Sequence, residues 1–353
     1  MISVRTVLED HQVSASAPCR IDSGGTWDIK AMALPFEGIG PTTVNVALSL
    51  RTKVILTPFD DGSVRIVSKG FRHLEVFSAD QLSDQLSFES PLSLFLAAVS
   101  YFGFHGLEIS ISSQSPVKSA LGGSSTALVA LIKALSKLSV SLGGKRMSAR
   151  KILHLSYHLE DAISGGNCGL QDQAAAVFGG INQWKWCYGN AGTPFVKTSL
   201  LDRNGQREFS RRLLVAYSGK SHISARVNRN WISGFLSGRT RAGWIKVNKV
   251  VHRFAEAVKE QDWRQAVLFL KEETGLRHEL TPEALIPVTE RMVEQAESAG
   301  CGARFAGAGA GGSLWALGEP HRIEQLRRVW SDTLSPIRGA RILDCDVDAV
   351  GVR

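Results

Sequence analysis

The sequence predicts two domains that mix α-helices with β-strands. At 353 residues the chain is long for a single hydrophobic core. Short alternating apolar runs fill the first 70 residues, whereas residues 240–275 and 283–299 repeat their apolar positions at helical spacing. The composition changes near residues 185–210, where we expect the boundary. With 44% hydrophobic and 21% charged residues, the composition is that of an ordinary globular protein.

The first predicted strands lie before residue 70. Residues 44–50, 53–59 and 63–68 carry the alternating apolar pattern of strands. Asp60-Asp61-Gly62 has the composition of a tight turn and predicts a hairpin between the last two.

The segment 19–43 upstream of these strands is rich in Gly and Pro and too polar for a core strand. It carries Arg20, Asp22 and Asp28 close together. A plain surface loop and a functional loop both remain open for it.

The stretch SPVKSALGGSSTALVAL (115–131) organises the predicted fold. It follows a predicted helix, 91–102, and a predicted strand, 107–113, which Pro116 ends because proline cannot donate to a ladder. A glycine and hydroxyl cluster then leads into helical spacing of apolar residues. A helix N-terminus in this position offers unpaired N–H groups and a positive dipole end, which suit a phosphate.

An ordinary strand-to-helix turn with serine caps explains the same stretch, and on this loop alone both interpretations stay open. The chain has no Walker loop. Gly144-Lys145 is followed by Arg146, and the Lys220 segment has Leu214 where the earlier glycine would stand.

Two carboxylates follow the loop. Residues 149–163 show one apolar face and predict a helix that carries Glu160 and ends near the glycines at 165 and 166. Asp172 lies between two glutamines at the start of another apolar helix. Taken singly, Glu160 could be a surface residue and Asp172 a helix cap.

The remaining elements alternate strands and helices. Strands with a turn are predicted at residues 184–201, a buried strand at 211–219, and a final strand near the end of the chain. Residues 301–318 form a second glycine-rich loop that runs into an apolar strand.

Charge and cysteine content limit the partners. The formal charge of +8 favours acidic partners, but no nucleic-acid-binding motif accompanies the dispersed basic residues, so we expect no nucleic-acid partner.

No apolar run approaches the ~20 residues of a membrane span, and no signal-peptide core is present, so we expect no membrane association. Five scattered cysteines without a CxxC pair predict free thiols in a cytoplasmic protein.

Together these pieces form a set suited to phosphoryl transfer. That reaction needs a phosphate loop, oxygen ligands for Mg²⁺, a carboxylate at the acceptor hydroxyl and a nearby arginine. Because Mg²⁺ keeps several waters, one serine and one glutamate suffice as protein ligands.

Four segments resemble those of GHMP kinases, the superfamily of galactokinase, homoserine kinase and mevalonate kinase. APCRIDSGGTWD (17–28) resembles the sugar-binding motif of galactokinase and L-fucokinase, and SPVKSALGGSSTA the phosphate loop. FAGAGAGGSLWAL (305–317) resembles the third motif. The stretch LEDAISGGNCGLQDQAAAVFGGIN (159–182) closely resembles D-glycero-D-manno-heptose 7-phosphate kinases, and fucokinases share a related QDQ.

This resemblance implies roles for individual residues. Asp172 matches the carboxylate that meets the attacking hydroxyl, and Arg20 its arginine partner. Ser124, with Ser125 as the alternative, and Glu160 match the Mg²⁺ ligands. The ATP phosphates would be held by the phosphate loop, of which we name Pro116, Ala120, Leu121, Gly122, Gly123, Ser124, Ser125 and Thr126.

On the acceptor side the resemblance implies Asp28, Gly169 and Gln171. Lys220, in the stretch YSGKSHISAR (217–226), is predicted to hold a remote phosphate of the acceptor, with an ordinary basic surface loop as the alternative.

The phosphate loop departs from the family pattern at two positions. Ala120 stands where glycine is usual and is tolerated only if its φ is negative. Gly123 stands where Ser or Thr is usual, which leaves the metal-binding serine undecided.

The implied fold is α+β, with an N-terminal domain like domain 2 of ribosomal protein S5 at 1–195 and an α/β C-terminal domain at 196–353. The implied activity is ATP- and Mg²⁺-dependent phosphorylation of a sugar at its anomeric hydroxyl. D-glycero-D-manno-heptose 7-phosphate is the leading acceptor, and L-fucose or another free hexose is second. A non-catalytic sensor of sugar and ATP is the alternative of a different class, and a homodimer is among the oligomeric states left open.

Overall fold

The computed structural model describes residues 3–68, 73–84, 90, 92–190, 192–221 and 224–353. Within them no helix combines the length and apolarity that crossing a bilayer would require.

The described residues form two sheets surrounded by helices. The strands are β1 Val13–Ser23, β2 Thr42–Pro58, β3 Ser63–Ser68, β4 His73–Ser78, β5 Leu107–Ser113, β6 Ile181–Trp186, β7 Phe195–Ser199, β8 Leu213–Tyr217, β9 Gly302–Phe305, β10 Ser313–Leu317 and β11 Arg341–Leu343. The helices are α1 Val4–Asp10, α2 Lys30–Ala33, α3 Ala79–Asp84, α4 Ser93–Phe102, α5 Gly123–Ser141, α6 Ala149–Ile163, α7 Gln171–Phe178, α8 Arg203–Arg211, α9 Ser224–Leu236, α10 Arg241–Lys259, α11 Trp263–Leu280, α12 Pro287–Ser298 and α13 Pro320–Leu334, with 3₁₀ turns at Leu34–Ile39 and Pro282–Ala284.

The first sheet has seven strands and is centred on β2, which pairs antiparallel with β1, β5 and β6. Helix α5 packs against β1 and β2. It buries Leu128, Leu131 and Leu135 completely, as its helical apolar spacing predicts. The N-terminus of α5 is thereby held at the end of β5, where the phosphate loop lies.

Two predictions about the first sheet are wrong, and two segments predicted correctly as strands prove to be continuous. Residues 44–50 and 53–59 belong to one strand of 17 residues, because Arg51 and Thr52 stay paired with β1. β2 and β3 form no hairpin, since β5 lies between them and pairs parallel with β3. Residues 19–23 are a buried part of β1 and not a loop.

The second sheet has the order β11-β8-β10-β9, with every pair antiparallel. Helices α12 and α13 cover it, and Met292, Leu326 and Trp330 are fully buried in its core. The predicted helix 240–275 is interrupted at residues 260–262 and forms α10 and α11.

Helices α10 and α11 connect the two sheets. They pack against each other, and α10 contacts β2 while α11 contacts β9. The side chain of Asn248 on α10 accepts a hydrogen bond from the Thr42 N–H at 2.8 Å. The first sheet ends at Ser199 and the second begins at Leu213. The domain division after residue 195 stays a prediction.

Candidate active site

The phosphate loop connects β5 to α5. Gly122 lies just before the helix with a φ of +74°, a conformation that glycine adopts without strain. Because α5 begins at Gly123, the N–H groups of Gly123, Ser124 and Ser125 have no partner within the helix. These groups form an anion-binding end next to the cavity.

Ala120 contradicts the expectation of a negative φ, since its φ is +63°. This left-handed conformation costs a residue with a side chain roughly 1–2 kcal/mol. It directs the Ala120 carbonyl toward Arg20, whose Nη1 donates a hydrogen bond to it at 2.6 Å. The hydrogen bond from a buried guanidinium offsets part of the strain.

A cavity of about 390 Å³ brings most of the predicted site residues together. Its lining includes Arg20, Asp28, Pro116, Ala120, Gly122, Gly123, Ser124, Ser125, Glu160, Gly169, Gln171 and Asp172. Two members of the predicted loop support the wall from behind. Leu121 is fully buried, and the Thr126 hydroxyl donates to the Gly122 carbonyl at 2.8 Å.

Asp172 and Arg20 form the central ion pair. Nε and Nη2 of Arg20 both lie 2.7 Å from Oδ1 of Asp172. Asp172 lies in the first turn of α7, where the helix dipole favours a carboxylate. Its Oδ2 is 3.1 Å from where a Cβ on Gly122 would be, so a side chain at position 122 would crowd this carboxylate.

Asp28 is buried beside this pair. Its Oδ1 accepts the Thr26 N–H at 3.0 Å and its Oδ2 accepts the Gln171 N–H at 3.1 Å. Burial, with the nearby charge of Asp172, raises the pKa of Asp28 to about 6. A Cβ on Gly169 would lie 1.8 Å from Oδ2, so Gly169 makes room for the Asp28 carboxylate.

Glu160 faces the phosphate loop from α6. Its Oε2 accepts a hydrogen bond from Gln173 at 2.6 Å. Burial raises the pKa of Glu160 to about 7, against the opposing effect of a hydrogen bond from the Ser125 hydroxyl. Ser125 is buried against Glu160, whereas Ser124 is exposed on the cavity wall.

These groups fit Mg²⁺ better than a cation bound wholly by protein. The described residues contain no cluster of three His, Cys, Asp or Glu side chains that could hold a metal. One carboxylate with one hydroxyl leaves most positions to water and phosphate oxygens, as Mg²⁺ prefers. A carboxyl with a pKa near 7 would give up its proton to such a cation.

Sequence reasoning missed part of the acceptor wall. Asn228 and Trp231 on α9 line the cavity, and Asn228 donates to the Asn167 carbonyl at 3.4 Å. Asn45 donates to Oε1 of Gln171 at 3.0 Å and so orients that side chain. Asn45 lies in a strand pattern and α9 carries no motif, so only the tertiary structure reveals them.

Lys220 is not among the cavity-lining residues. It is exposed, and its carbonyl accepts the Gly312 N–H at 2.8 Å. Its partners in the predicted phosphate-binding stretch, His222 and the side chain of Arg226, lie outside the described residues. The predicted role for Lys220 in holding a remote phosphate therefore gains no support from the cavity.

The second glycine-rich loop, residues 306–312, lies behind Arg20. The Gly307 N–H donates to Oδ1 of Asp22 at 2.7 Å. A Cβ on Gly312 would lie 2.7 Å from the Cβ of Ala120, so the two loops are in close contact.

Comparison with known proteins matches two family models to this chain. The family model "GHMP kinases N terminal domain" matches residues 92–180, and "GHMP kinases C terminal" matches residues 254–335. These matches include the phosphate loop, both carboxylates Glu160 and Asp172, and helices α11 and α12.

Three curated relatives have different acceptors in their names. Mevalonate kinase of Thermococcus onnurineus is 24% identical over 335 residues, which cover 89% of this chain and 91% of the relative. L-fucokinase/L-fucose-1-P guanylyltransferase of Bacteroides fragilis is 22% identical over 98% of this chain and 38% of its own length. D-glycero-alpha-D-manno-heptose 7-phosphate kinase of Campylobacter jejuni is 30% identical over 175 residues, 48% of this chain and 49% of the relative.

Solved structures share the fold. Mevalonate kinase of Methanococcus jannaschii superposes with a TM-score of 0.73 at 17% identity, covering 96% of this chain and 99% of that one. Galactokinase of Lactococcus lactis gives a TM-score of 0.71 at 15% identity, with coverages of 99% and 96%. The two-domain arrangement is therefore that of these kinases.

Proposed function

The chain is a kinase of the GHMP family, and we propose that it transfers the γ-phosphate of ATP to the anomeric hydroxyl of a sugar. The main support for this proposal is the acceptor wall, the part of the cavity lining formed by Asp28, Gln171, Asn228 and Trp231. These residues offer a carboxylate, two amides and an indole ring. Hydroxyl groups suit carboxylates and amides, and a sugar ring suits an indole face.

The distribution of cations supports hydroxyl groups over a carboxylate inside the cavity, and the phosphate of a sugar phosphate would have to be held by residues outside this lining. Among the lining residues that the structure describes, the cations are Arg20 and Lys118. Arg20 is paired with Asp172, and Lys118 lies on the phosphate loop. A carboxylate acceptor such as mevalonate would have to compete with Asp172 for Arg20.

ATP would occupy the other side of the cavity. The N–H groups of Gly123, Ser124 and Ser125 would hold its phosphates, and Lys118 would add positive charge. Beyond the loop, Phe95 and Ile111 line an apolar section that suits a flat base.

Magnesium, when bound, would neutralise charge on the transferred phosphate. Glu160 with the hydroxyl of Ser124 or Ser125 would hold it. Ser125 is buried and its hydroxyl acts to lower the pKa of Glu160, whereas Ser124 is the more accessible of the two.

Asp172 would receive the acceptor hydroxyl. Oδ1 is held by Arg20, so Oδ2 is the oxygen left to accept the proton of the hydroxyl or to orient it. Arg20 would also stabilise charge that develops between the acceptor oxygen and the phosphate. Because phosphoryl transfer depends chiefly on positioning and charge neutralisation, these two side chains would supply both at the acceptor hydroxyl.

The leading acceptor remains D-glycero-D-manno-heptose 7-phosphate. The QDQ stretch favours it, and a heptose 7-phosphate kinase is 30% identical to this chain over 175 residues, 48% of its length. A free hexose such as L-fucose is the second candidate. It is favoured by the exposed position of Lys220, away from the lining of the cavity.

A screen of ATP consumption by the purified protein tests these acceptors. The panel contains D-glycero-D-manno-heptose 7-phosphate, L-fucose, D-galactose and mevalonate, each with Mg²⁺. We expect the highest kcat/KM with one of the sugars, and ³¹P NMR should show the new phosphate coupled to the anomeric proton. The highest kcat/KM with mevalonate would overturn the sugar assignment, and no turnover with any acceptor would favour a sensor.

A further inference from the structure

A row of charged side chains with alternating sign runs behind the active site. It begins with Asp172 and Arg20 and continues through Asp22, Arg304, Glu273 and Arg277. The last four are fully buried, at 0% exposure. A buried charge that loses its partner costs several kcal/mol, so the position of each member depends on its neighbours.

The row crosses from one sheet to the other. Arg20 and Asp22 lie on β1 of the first sheet, Arg304 on β9 of the second, and Glu273 and Arg277 on α11. Arg304 donates from Nε to Glu273 at 2.6 Å and from Nη1 to Oδ2 of Asp22 at 2.9 Å. Burial opposes the charge of Arg304, but Asp22 and Glu273 outweigh it and raise its pKa.

Asp22 is the member that can compete for Arg20. Its Oδ1 accepts the Gly307 N–H at 2.7 Å and lies 3.6 Å from Nη1 of Arg20, whereas Arg20 is 2.7 Å from Asp172. Oδ2 of Asp22 is held by Arg304. If that partner were lost, Asp22 would be a buried carboxylate, and Arg20 is the arginine that already lies within 4 Å of its other oxygen.

We propose that Arg304 is a positioning residue for the transfer reaction. Arg304 forms an ion pair with Asp22, and Arg20 therefore remains paired with Asp172 and not with Asp22. This rests on the proposed roles of Arg20 and Asp172 but not on the identity of the acceptor. Arg304 acts across the sheets, so assembly of the two domains and orientation of Arg20 depend on the same ion pair.

The test compares Arg304→Met with the double variant Arg304→Met/Asp22→Asn. Asn at position 22 keeps an oxygen for the Gly307 N–H but has no charge to attract Arg20. We expect Arg304→Met to lower kcat about 10²-fold, the size of effect that a misplacement of about 1 Å can have. The double variant should regain at least 10-fold of that loss, and Asp22→Asn alone should stay within about threefold of the wild type.

Arg51→Met is the matched control for lost stability. Arg51 is a largely buried arginine that pairs with Asp348 and donates to the Ser16, Val350 and Gly351 carbonyls, and it is not itself a cavity-lining residue. It should lower Tm but leave kcat unchanged. Equal kcat in Arg304→Met and wild type, or no recovery in the double variant, would overturn the proposal.

Arg304→Lys covers the case in which Arg304→Met does not fold. A lysine has one nitrogen and cannot hold Asp22 and Glu273 as the guanidinium does. We expect a lower kcat that Asp22→Asn restores, and an unaffected kcat would refute the positioning role. All variants are assayed with whichever acceptor the wild type turns over, so an error in the proposed substrate leaves this test intact.

Discussion

The two walls of the cavity are built from different chemical groups. The phosphate wall, residues 115–125, offers main-chain N–H groups and hydroxyls on a loop whose shape depends on left-handed residues. The acceptor wall, taken together with the adjoining Glu160 and Asp172, offers three carboxylates, and burial raises the pKa of two of them, Asp28 and Glu160. Substitutions should therefore act through backbone shape on the first wall and through charge on the second.

The largest effect is expected from removing charge on the acceptor wall. Asp172→Asn keeps the shape of the side chain but weakens both the pairing with Arg20 and the acceptance of a proton. We expect kcat to fall at least ~10²-fold, with the Kd for ATP within a factor of about two. Steady-state kinetics and ATP titration measure the two quantities. Turnover within a few-fold of wild type would remove Asp172 from the mechanism.

The next largest effect on kcat/KM is expected from a substitution where the two walls meet, at Gly122 beside Asp172. In Gly122→Ala, the new Cβ would lie 3.1 Å from Oδ2 of Asp172, and φ is +74° there. We expect kcat/KM to fall about 10-fold or more, because misplacing this carboxylate affects the acceptor as well as the loop.

Gly103→Ala is the matched control for Gly122→Ala. Gly103 also has a positive φ, +67°, but no atom lies within 4 Å of its Cβ position. It should lose roughly 1 kcal/mol of stability with unchanged kinetics. Equal kinetics for both variants would show that the two walls are independent.

At Glu160, the effect of charge on this side of the cavity can be measured as a change of stability with pH. Its pKa is raised from 4.5 to about 7, so the folded protein binds this proton more tightly than the unfolded chain does. Its contribution to stability is present below pH 4.5 and is lost as the pH rises to about 7. Glu160→Gln should therefore exceed the wild type in free energy of unfolding at pH 8 by about 1–2 kcal/mol, allowing for partial solvent screening.

Urea unfolding at pH 4.5 and pH 8 without Mg²⁺ measures this difference, which should nearly vanish at the lower pH. Asp161→Asn, the next residue on α6, controls for the loss of a carboxylate outside the cavity lining. A Glu160→Gln protein that is less stable than the wild type at pH 8 would contradict the prediction.

Ala120→Gly should give the smallest effect, on the phosphate wall. Glycine removes the strain at a φ of +63° but adds freedom to the unfolded chain. We expect a gain in unfolding free energy of at most about 1 kcal/mol and kcat within twofold. Thermal unfolding and kinetics check this, and a loss above about 1 kcal/mol would show that the methyl packs usefully against Gly312.

Sequence reasoning identified the parts of the site that contiguous motifs encode. The phosphate loop, Glu160, Asp172, Asp28 and Arg20 all line one cavity. Their roles in binding and transfer remain predictions.

What the sequence did not reveal depends on distant pairing. Residues 19–23 resemble a loop because they are polar, yet Arg20 and Asp22 are buried in β1, where Arg304 supplies the opposite charge. In the sequence, Arg304 is an isolated basic residue next to a glycine-rich segment, and nothing near it indicates an ion pair. No spacing rule connects positions that far apart, and the same holds for β5, whose insertion between β2 and β3 removes the predicted hairpin.

The ion pair between Asp22 and Arg304 also bears on the order of synthesis. The two residues are 282 positions apart, so a ribosome adding 5–20 residues per second needs roughly 15–60 s to pass from one to the other. During that interval Asp22 has neither Arg304 nor the Gly307 N–H to bind. We expect this end of β1 to stay hydrated on the nascent chain and to become buried only once β9 has emerged.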